Sequence, residues 1–119
     1  MKRDMDLIRV ILLEIEKLPE DWGSHNIEIE TVTPEEITYH VRLLAQAGLI
    51  EAEDFSTFSG PSWQPKRLTW NGHEFLDAAR SDTVWQKAKE IVISGTGTLT
   101  LEALKIALPH AIRSLITLA

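Results

Sequence analysis

Apolar side chains near the start of the chain recur at steps of three and four residues, a spacing that places them on one face of an α-helix. We predict a helix that starts at about Asp4 and ends before Pro19, because a proline seldom continues a helix. Neighbouring apolar residues widen the stripe, which indicates a core helix covered on more than one side. The stripe consists of Ile8, Ile11, Leu12, Ile15 and Leu18.

A turn-rich segment follows this helix. Turn-forming residues between Pro19 and Asn26 precede an alternation in which Ile27, Ile29 and Thr31 are separated by glutamates. A period of two is typical of a half-buried strand. We therefore predict a loop, then a short strand, and no good helix in this segment.

The next helix has a complete start signal. Thr33 caps the first turn, Pro34 suits the first helical position, and Glu36 completes a capping box with the threonine. Gly48 is placed to end the helix in a left-handed conformation. These signals predict a helix from Pro34 to Ala47.

Two extended segments joined by a polar loop come next. We predict strands at Leu49–Glu53 and Lys66–Thr69, with residues 54–64 as the tip of the hairpin. Thr69 then caps another helix. In its first turn Gly72 permits another part of the backbone to approach closely.

Two further helices complete the chain. One is predicted from Ser81 or Asp82 through Ile91, before a break at Ser94–Thr98. Pro109 should kink the last helix, because it has no N–H to donate. Apolar residues of this last helix follow alternating steps of three and four: Leu101, Leu104, Leu108, Ala111, Leu115 and Leu118.

The order of these elements predicts a mainly α chain with a small antiparallel β-hairpin, of the α+β class. Residues 1–93 are interpreted as a winged-helix-like domain, in which two strands pack beside a compact helical core. Residues 94–119 are interpreted as a C-terminal helix that packs on the domain or dimerises. Trp70 and Trp85 are predicted to be core residues.

Composition restricts the classes of function. With 119 residues, 44% of them hydrophobic, the chain supports one core, and the absence of cysteine excludes disulfides and thiol chemistry. Charged residues interrupt the apolar runs at both ends, so we expect a cytoplasmic protein without a signal sequence or membrane span. The formal net charge of −6 opposes DNA binding unless the basic residues gather on one face.

Several separated motifs resemble one known family. MKRDMDLIRVILLEIE, YHVRLLAQAGLIEA and RLTWNGHEFLDAAR followed by DTVW resemble the bacterial and phage family called domain of unknown function 2513, over roughly Met1 to Glu90. The resemblance implies a winged-helix-like domain, occurrence in prophages and bacterial genomes, and no assigned activity. AGLI and LTWNGHEFL are also similar to a motif pair of winged-helix regulators, in which they end the recognition helix and open the helix after the wing.

The winged-helix interpretation leaves two roles open, of which the first is a DNA-binding transcriptional regulator. The helix over 34–47 would enter the major groove, with Arg42 and Gln46 at base edges. Because Glu35 and Glu36 make this helix net negative, an ordinary solvated face is the competing interpretation. The predicted nucleic-acid-binding residues are Thr38, Tyr39, Arg42, Gln46, Lys66 and Arg67.

The second role is a protein-interaction module without nucleic-acid binding. Phe58 and Trp63 are large aromatic residues in the predicted hairpin tip, where they either anchor a partner or fold back onto the domain. Leu104, Leu108 and Leu115 of the last helix must cover apolar surface on their own domain or on a second copy. We expect a homodimer.

No catalytic or metal site is predicted. The four histidines lack metal-ligand spacing, and the neighbouring residues His73, Glu74 and Asp77 do not converge on a helix. The segment SGTGT follows a helix and lacks the lysine of a phosphate-binding loop, so we interpret it as a linker. We expect neither enzymatic activity nor a cofactor.

Overall fold

The computed structural model describes residues 1–117, in which five helices and one antiparallel pair of strands are joined by loops. The predicted class, mainly α with a small β-hairpin (α+β), is confirmed. In chain order the elements are α1 (Met5–Glu16), α2 (Pro34–Gln46), β1 (Ile50–Asp54), β2 (Trp63–Leu68), α3 (Trp70–Ala79), α4 (Asp82–Thr96) and α5 (Leu101–Thr117).

Helix α1 begins as its sequence predicts. Asp4 caps it, because Oδ1 accepts hydrogen bonds from the backbone N–H groups of Asp6 and Leu7 at 3.0 and 3.2 Å. A cap of this kind contributes about 1 kcal/mol. Four of the five residues of the predicted apolar stripe are buried along the helix, and Ile11 and Leu12 have almost no contact with solvent. The fifth, Leu18, is half-buried and follows the helix, which ends at Glu16.

The segment between α1 and α2 contains no helix and, contrary to the sequence prediction, no strand. Burial still alternates along it, because Ile27 is buried and Ile29 half-buried while the glutamates beside them are exposed. Thr31 has a φ of 70°, in the left-handed region that a β-branched residue rarely adopts. The alternation of buried and exposed residues ends at this turn. No ladder of backbone hydrogen bonds forms along residues 27–31, so the strand predicted there is wrong.

Helix α2 carries the predicted capping box. The Thr33 hydroxyl accepts a hydrogen bond from the Glu36 N–H at 3.1 Å, and the Glu36 carboxylate accepts one from the Thr33 N–H at 3.5 Å. Gly48 has a φ of 76°, which confirms the predicted left-handed end of the helix. Between these ends α2 buries Ile37, His40, Val41 and Leu44.

The hairpin pairs Ile50 with Leu68 at one end and Asp54 with Trp63 at the other, with one irregularity in the register between them. Strand β2 begins three residues before the predicted Lys66. Trp63 therefore belongs to the strand, and its assignment to the hairpin tip is wrong. Sequence reasoning misses this because Gln64 and Pro65 do not resemble strand residues.

Helix α3 makes the predicted close approach. The Thr69 hydroxyl caps it by accepting a hydrogen bond from the Gly72 N–H at 3.1 Å, and a Cβ at position 72 would lie 2.0 Å from the Leu49 carbonyl oxygen. Trp70 is 78% exposed, so its prediction as a core residue is wrong. Trp70 and Gly72 are two residues apart, which corresponds to roughly 200° of helix rotation. Trp70 therefore points away from Leu49 and Leu68, the residues that Gly72 approaches.

Helix α4 starts at the predicted residue but ends later than predicted. The Ser81 hydroxyl accepts a hydrogen bond from the Val84 N–H at 3.3 Å. The helix then runs through Ser94 to Thr96, so the break predicted over Ser94–Thr98 starts only at Gly97, three residues later than predicted. The chain turns at Gly97, whose φ of 79° provides the left-handed cap.

Helices α4 and α5 pack against each other. Trp85 is 1% exposed, as predicted for a core residue, and its ring meets that of Phe75 edge to face, with centroids 6.3 Å apart. Helix α5 begins at Leu101, directly after Thr100, whose hydroxyl accepts a hydrogen bond from the Ala103 N–H at 3.1 Å. It continues through Pro109 to Thr117.

The chain divides into two compact units, one from Met1 to His73 and the other from Glu74 onward. The first contains α1, α2, the hairpin and the start of α3. The second contains the rest of α3 together with α4 and α5. The domain border predicted at residue 94 falls inside α4.

Candidate binding surfaces

Four of the residues predicted to contact DNA lie on α2, and of these Gln46 is exposed while the other three are half-buried. Thr38 is half-buried, and its hydroxyl accepts a hydrogen bond from the Trp63 backbone N–H at 3.0 Å. That bond joins α2 to the start of β2. The Thr38 hydroxyl therefore already has a structural partner.

Arg42 and Tyr39 form a stacked pair on α2. The guanidinium carbon of Arg42 lies 5.5 Å from the centroid of the Tyr39 ring, within range of a cation–π attraction. The Nε atom of Arg42 is buried and has no hydrogen-bond partner among residues 1–117. An arginine that contacts a base edge extends its side chain away from the helix. The Arg42 side chain cannot do so while its guanidinium stacks on Tyr39.

Lys66 and Arg67 are surrounded by carboxylates. Lys66 lies 3.2 Å from Glu53, while Arg67 pairs with Glu51 across the hairpin and lies 3.4 Å from Glu20. The hydrogen bond that Arg67 donates to the Glu51 carboxylate is the main reason that the pKa of Arg67 is raised above its ordinary value. Both bases are therefore already paired with carboxylates of the chain.

Arg67 also holds the loop that follows α1. Its Nη2 donates a hydrogen bond to the Asp21 carbonyl oxygen at 2.9 Å. The Asp21 carboxylate lies 3.0 Å from Nε2 of His25 and accepts a hydrogen bond from the Gly23 N–H at 2.9 Å. These two bonds, that of His25 first, lower the pKa of Asp21 below its ordinary value.

Four large aromatic side chains of the first unit are exposed to solvent, of which Phe55 is the least exposed, at 46%. Phe58 in the hairpin tip is fully exposed, Trp22 in the loop after α1 is 91% exposed and Trp70 is 78% exposed. Sequence reasoning singles out Phe58 but not Trp22. The signal at Trp22 is its position between Asp21 and Gly23, without apolar neighbours that would form a core.

A partly open groove of about 370 Å³ lies in the first unit, and sequence reasoning does not predict it. Trp63 is half-buried at its wall rather than presented at the hairpin tip. Residues 26–29 line the opposite part, and the beginning of α2 contributes Pro34 and Thr38. Its volume is within the range of small-ligand and peptide sites.

The middle of the predicted leucine seam of α5 is buried. Leu104 and Leu108 are 0% and 2% exposed, so the structure does not present these two predicted partner-binding residues on a surface. Leu115 is half-buried, and Leu118 lies outside the described residues. The exposed apolar residues of α5 are instead Ile106 and Ile116, each 68% exposed.

Neither a metal-binding cluster nor a membrane-spanning helix is found among the residues that the structure describes. Within residues 1–117, no group of three or more histidine or acidic side chains is arranged to hold a metal ion. Over the same range, every helix is too short or too polar to cross a bilayer.

Comparison with known proteins places the chain in a family. The model of the family described as hypothetical protein DUF2513 (domain of unknown function 2513) matches residues 2–98. The chain is also 45% identical over 106 residues to an uncharacterized protein of Haemophilus influenzae, an alignment that covers 88% of this chain and 90% of the relative. No solved structure matches. The chain belongs to the DUF2513 family.

Proposed function

We propose that this chain is a protein-interaction module. The observation that carries the proposal is the exposure of Trp22, Phe58 and Trp70, three large aromatic side chains on a unit of 73 residues. Tryptophan and aromatic residues in general are over-represented among the side chains that contribute most to binding energy at protein interfaces. Scattered aliphatic residues on a surface need no such explanation.

The charge distribution supports a protein partner over DNA. The hairpin bases Lys66 and Arg67 are paired with carboxylates, and the formal net charge of the chain is −6. Nucleic-acid affinity depends on basic side chains that neutralise phosphates and release counterions. A protein partner imposes no such requirement.

The proposal is tested by replacing the three aromatic residues together, as Trp22→Ser, Phe58→Ser and Trp70→Ser. The tagged full-length chain and the variant are expressed in the native host, cross-linked and purified, and the retained proteins are compared. We expect a defined set of partners with the unchanged chain and its loss with the variant. Circular dichroism checks that the variant is folded.

A matched control removes exposed apolar surface from the second unit, through Ile93→Ser, Ile106→Ser and Ile116→Ser. Under the proposal this variant keeps the partners. Retention of the same partners by the aromatic variant would contradict the proposal.

DNA binding by a winged-helix-like first unit is the second candidate. It is favoured by the exposure of Gln46 and by the position of Arg42 on a helix that directly precedes a hairpin, the order found in winged-helix regulators. Fluorescence anisotropy with mixed-sequence duplexes tests it. A salt-dependent affinity that Arg42→Ala weakens would support DNA binding, whereas absent or salt-insensitive binding would reject it.

A further inference from the structure

The backbone of residues 26–28 makes no hydrogen bond to any residue that the structure describes. Among residues 1–117, no hydrogen bond is made by Asn26, Ile27 or Glu28. Burial nevertheless alternates from Ile27 to Glu30 with the period of a strand. This segment therefore has the side-chain pattern of a strand without a strand beside it.

The same segment begins next to β2 and then separates from it. The His25 N–H donates to the Pro65 carbonyl oxygen at 3.0 Å, and the Ser24 hydroxyl donates to the Gln64 side chain at 3.2 Å. Beyond His25 no described hydrogen bond continues this pairing. The groove of about 370 Å³ is lined by both segments, so it lies where an additional strand would meet unpaired backbone groups.

The electrostatics of the groove select the charge of its occupant. Glu28 and Glu35 are the charged residues that line it; both are exposed, and neither forms an ion pair with a described residue. Two unpaired carboxylates attract lysine or arginine and repel an acidic segment.

The walls of the groove select apolar side chains as well. Trp63, Pro65 and Pro34 line it together with Ile29 and Val32. In strand addition, main-chain hydrogen bonds provide affinity and pockets for alternate side chains provide specificity. A segment that alternates basic and aliphatic residues can pair with Glu28 and Glu35 and also pack against the apolar residues of the groove.

We propose that this groove binds an extended, basic segment of a partner protein, which adds as a strand to residues 26–28 and places lysine or arginine side chains near Glu28 and Glu35. The inference rests on the proposed function in one respect, that the partner is a protein. It concerns a different surface from the exposed aromatic residues.

The probe is a phage-displayed library of random linear peptides, selected on the immobilised full-length chain. We expect the enriched peptides to carry an excess of lysine and arginine over acidic residues, together with aliphatic residues. Binding of individual synthetic peptides is then measured by fluorescence anisotropy. Glu28→Gln combined with Glu35→Gln should weaken it roughly five- to tenfold, the effect of losing two partly exposed ion pairs.

The matched control is Glu74→Gln combined with Glu90→Gln, which changes the net charge equally at exposed carboxylates outside the groove. It should change the affinity less than about twofold. Amide spectra of the labelled chain provide a second readout. Peptide binding should shift the signals of Asn26, Ile27 and Glu28.

Three outcomes would overturn the inference: no enrichment, enrichment of acidic peptides, or equal weakening by the two double variants. Basic peptides that shift only the signals of Trp22, Phe58 and Trp70 would also overturn it while leaving the proposed function in place. Conversely, the peptides could bind the groove while the variant Trp22→Ser, Phe58→Ser and Trp70→Ser keeps its partners. That result would overturn only the proposal that these three aromatic residues bind the partner.

Discussion

His40 accepts a hydrogen bond through Nε2 from the backbone N–H of Asp4, at 2.9 Å. The same ring donates through Nδ1 to the Glu36 carbonyl oxygen at 2.7 Å, and His40 is 1% exposed. A nitrogen that accepts from an N–H carries no proton, so the ring proton is on Nδ1. The imidazole thereby ties the start of α1 to α2 inside the first unit.

Replacing this histidine should destabilise the protein. His40→Ala leaves the Asp4 N–H without its acceptor and opens a cavity, so we expect the free energy of unfolding to fall by about 2–4 kcal/mol. Urea denaturation followed by circular dichroism measures the change. The exposed His73 is the control, and His73→Ala should change stability by less than about 0.5 kcal/mol. Equal effects of the two substitutions would contradict this role of His40.

Adding one methyl group should have opposite effects at two glycines. At Gly72 a Cβ would lie 2.0 Å from the Leu49 carbonyl oxygen, and we expect Gly72→Ala to cost more than about 2 kcal/mol because backbone must move. At Gly95, inside α4, a Cβ would meet open space, and Gly95→Ala should stabilise by about 0.5–1 kcal/mol. Thermal unfolding of both variants tests the pair. A tolerated Gly72→Ala would show that the close approach is not maintained in solution.

The packing of α5 predicts a contrast between two of its apolar residues. Leu104 is 0% exposed, so Leu104→Ala should reduce the free energy of unfolding by about 2–5 kcal/mol. Ile106 is 68% exposed, and Ile106→Ala should have little effect on the stability of the monomer. Denaturation at several protein concentrations, with light scattering for the oligomeric state, provides the measurement. Homodimerisation remains a prediction; if Ile106→Ala abolished a dimer, that contact would lie on the exposed side of α5 rather than at the leucine seam.

Acid should remove a contribution that Asp21 makes to stability. Hydrogen bonds from His25 and Gly23 lower the pKa of Asp21 in the folded chain. When the folded pKa is lower than the unfolded one, the contribution is present above the unfolded pKa and is lost as the pH falls through the folded pKa. We therefore expect stability to decrease more on acidification below about pH 4 in the unchanged chain than in Asp21→Asn.

Thermal melts between about pH 6 and pH 2 follow this difference. Glu74→Gln, at an exposed carboxylate, should leave the slope of stability against pH unchanged. Parallel curves for the unchanged chain and Asp21→Asn would refute the assignment to Asp21.

Local capping and turn signals determine most of the boundaries of the helices. Thr33 and Glu36 cap α2, Gly48 ends it, and Thr69 with Gly72 starts α3, all as predicted. Each of these signals acts through residues close in the chain, or through the absence of a Cβ. Their effect on the backbone can therefore be worked out without knowing what packs nearby.

Tertiary packing decided the rest. Ile27 and Ile29 alternate like a strand, yet pairing depends on a neighbour that the chain does not bring alongside. Trp70 is exposed because Gly72 fixes which side of α3 faces Leu49 and Leu68. Leu104 and Leu108 of α5 are buried within the chain, whereas periodicity alone cannot show whether such residues are covered by their own chain or by a partner. The sequence by itself determined where helices start and stop, because capping is local, whereas exposure and pairing are decided by residues distant in the chain.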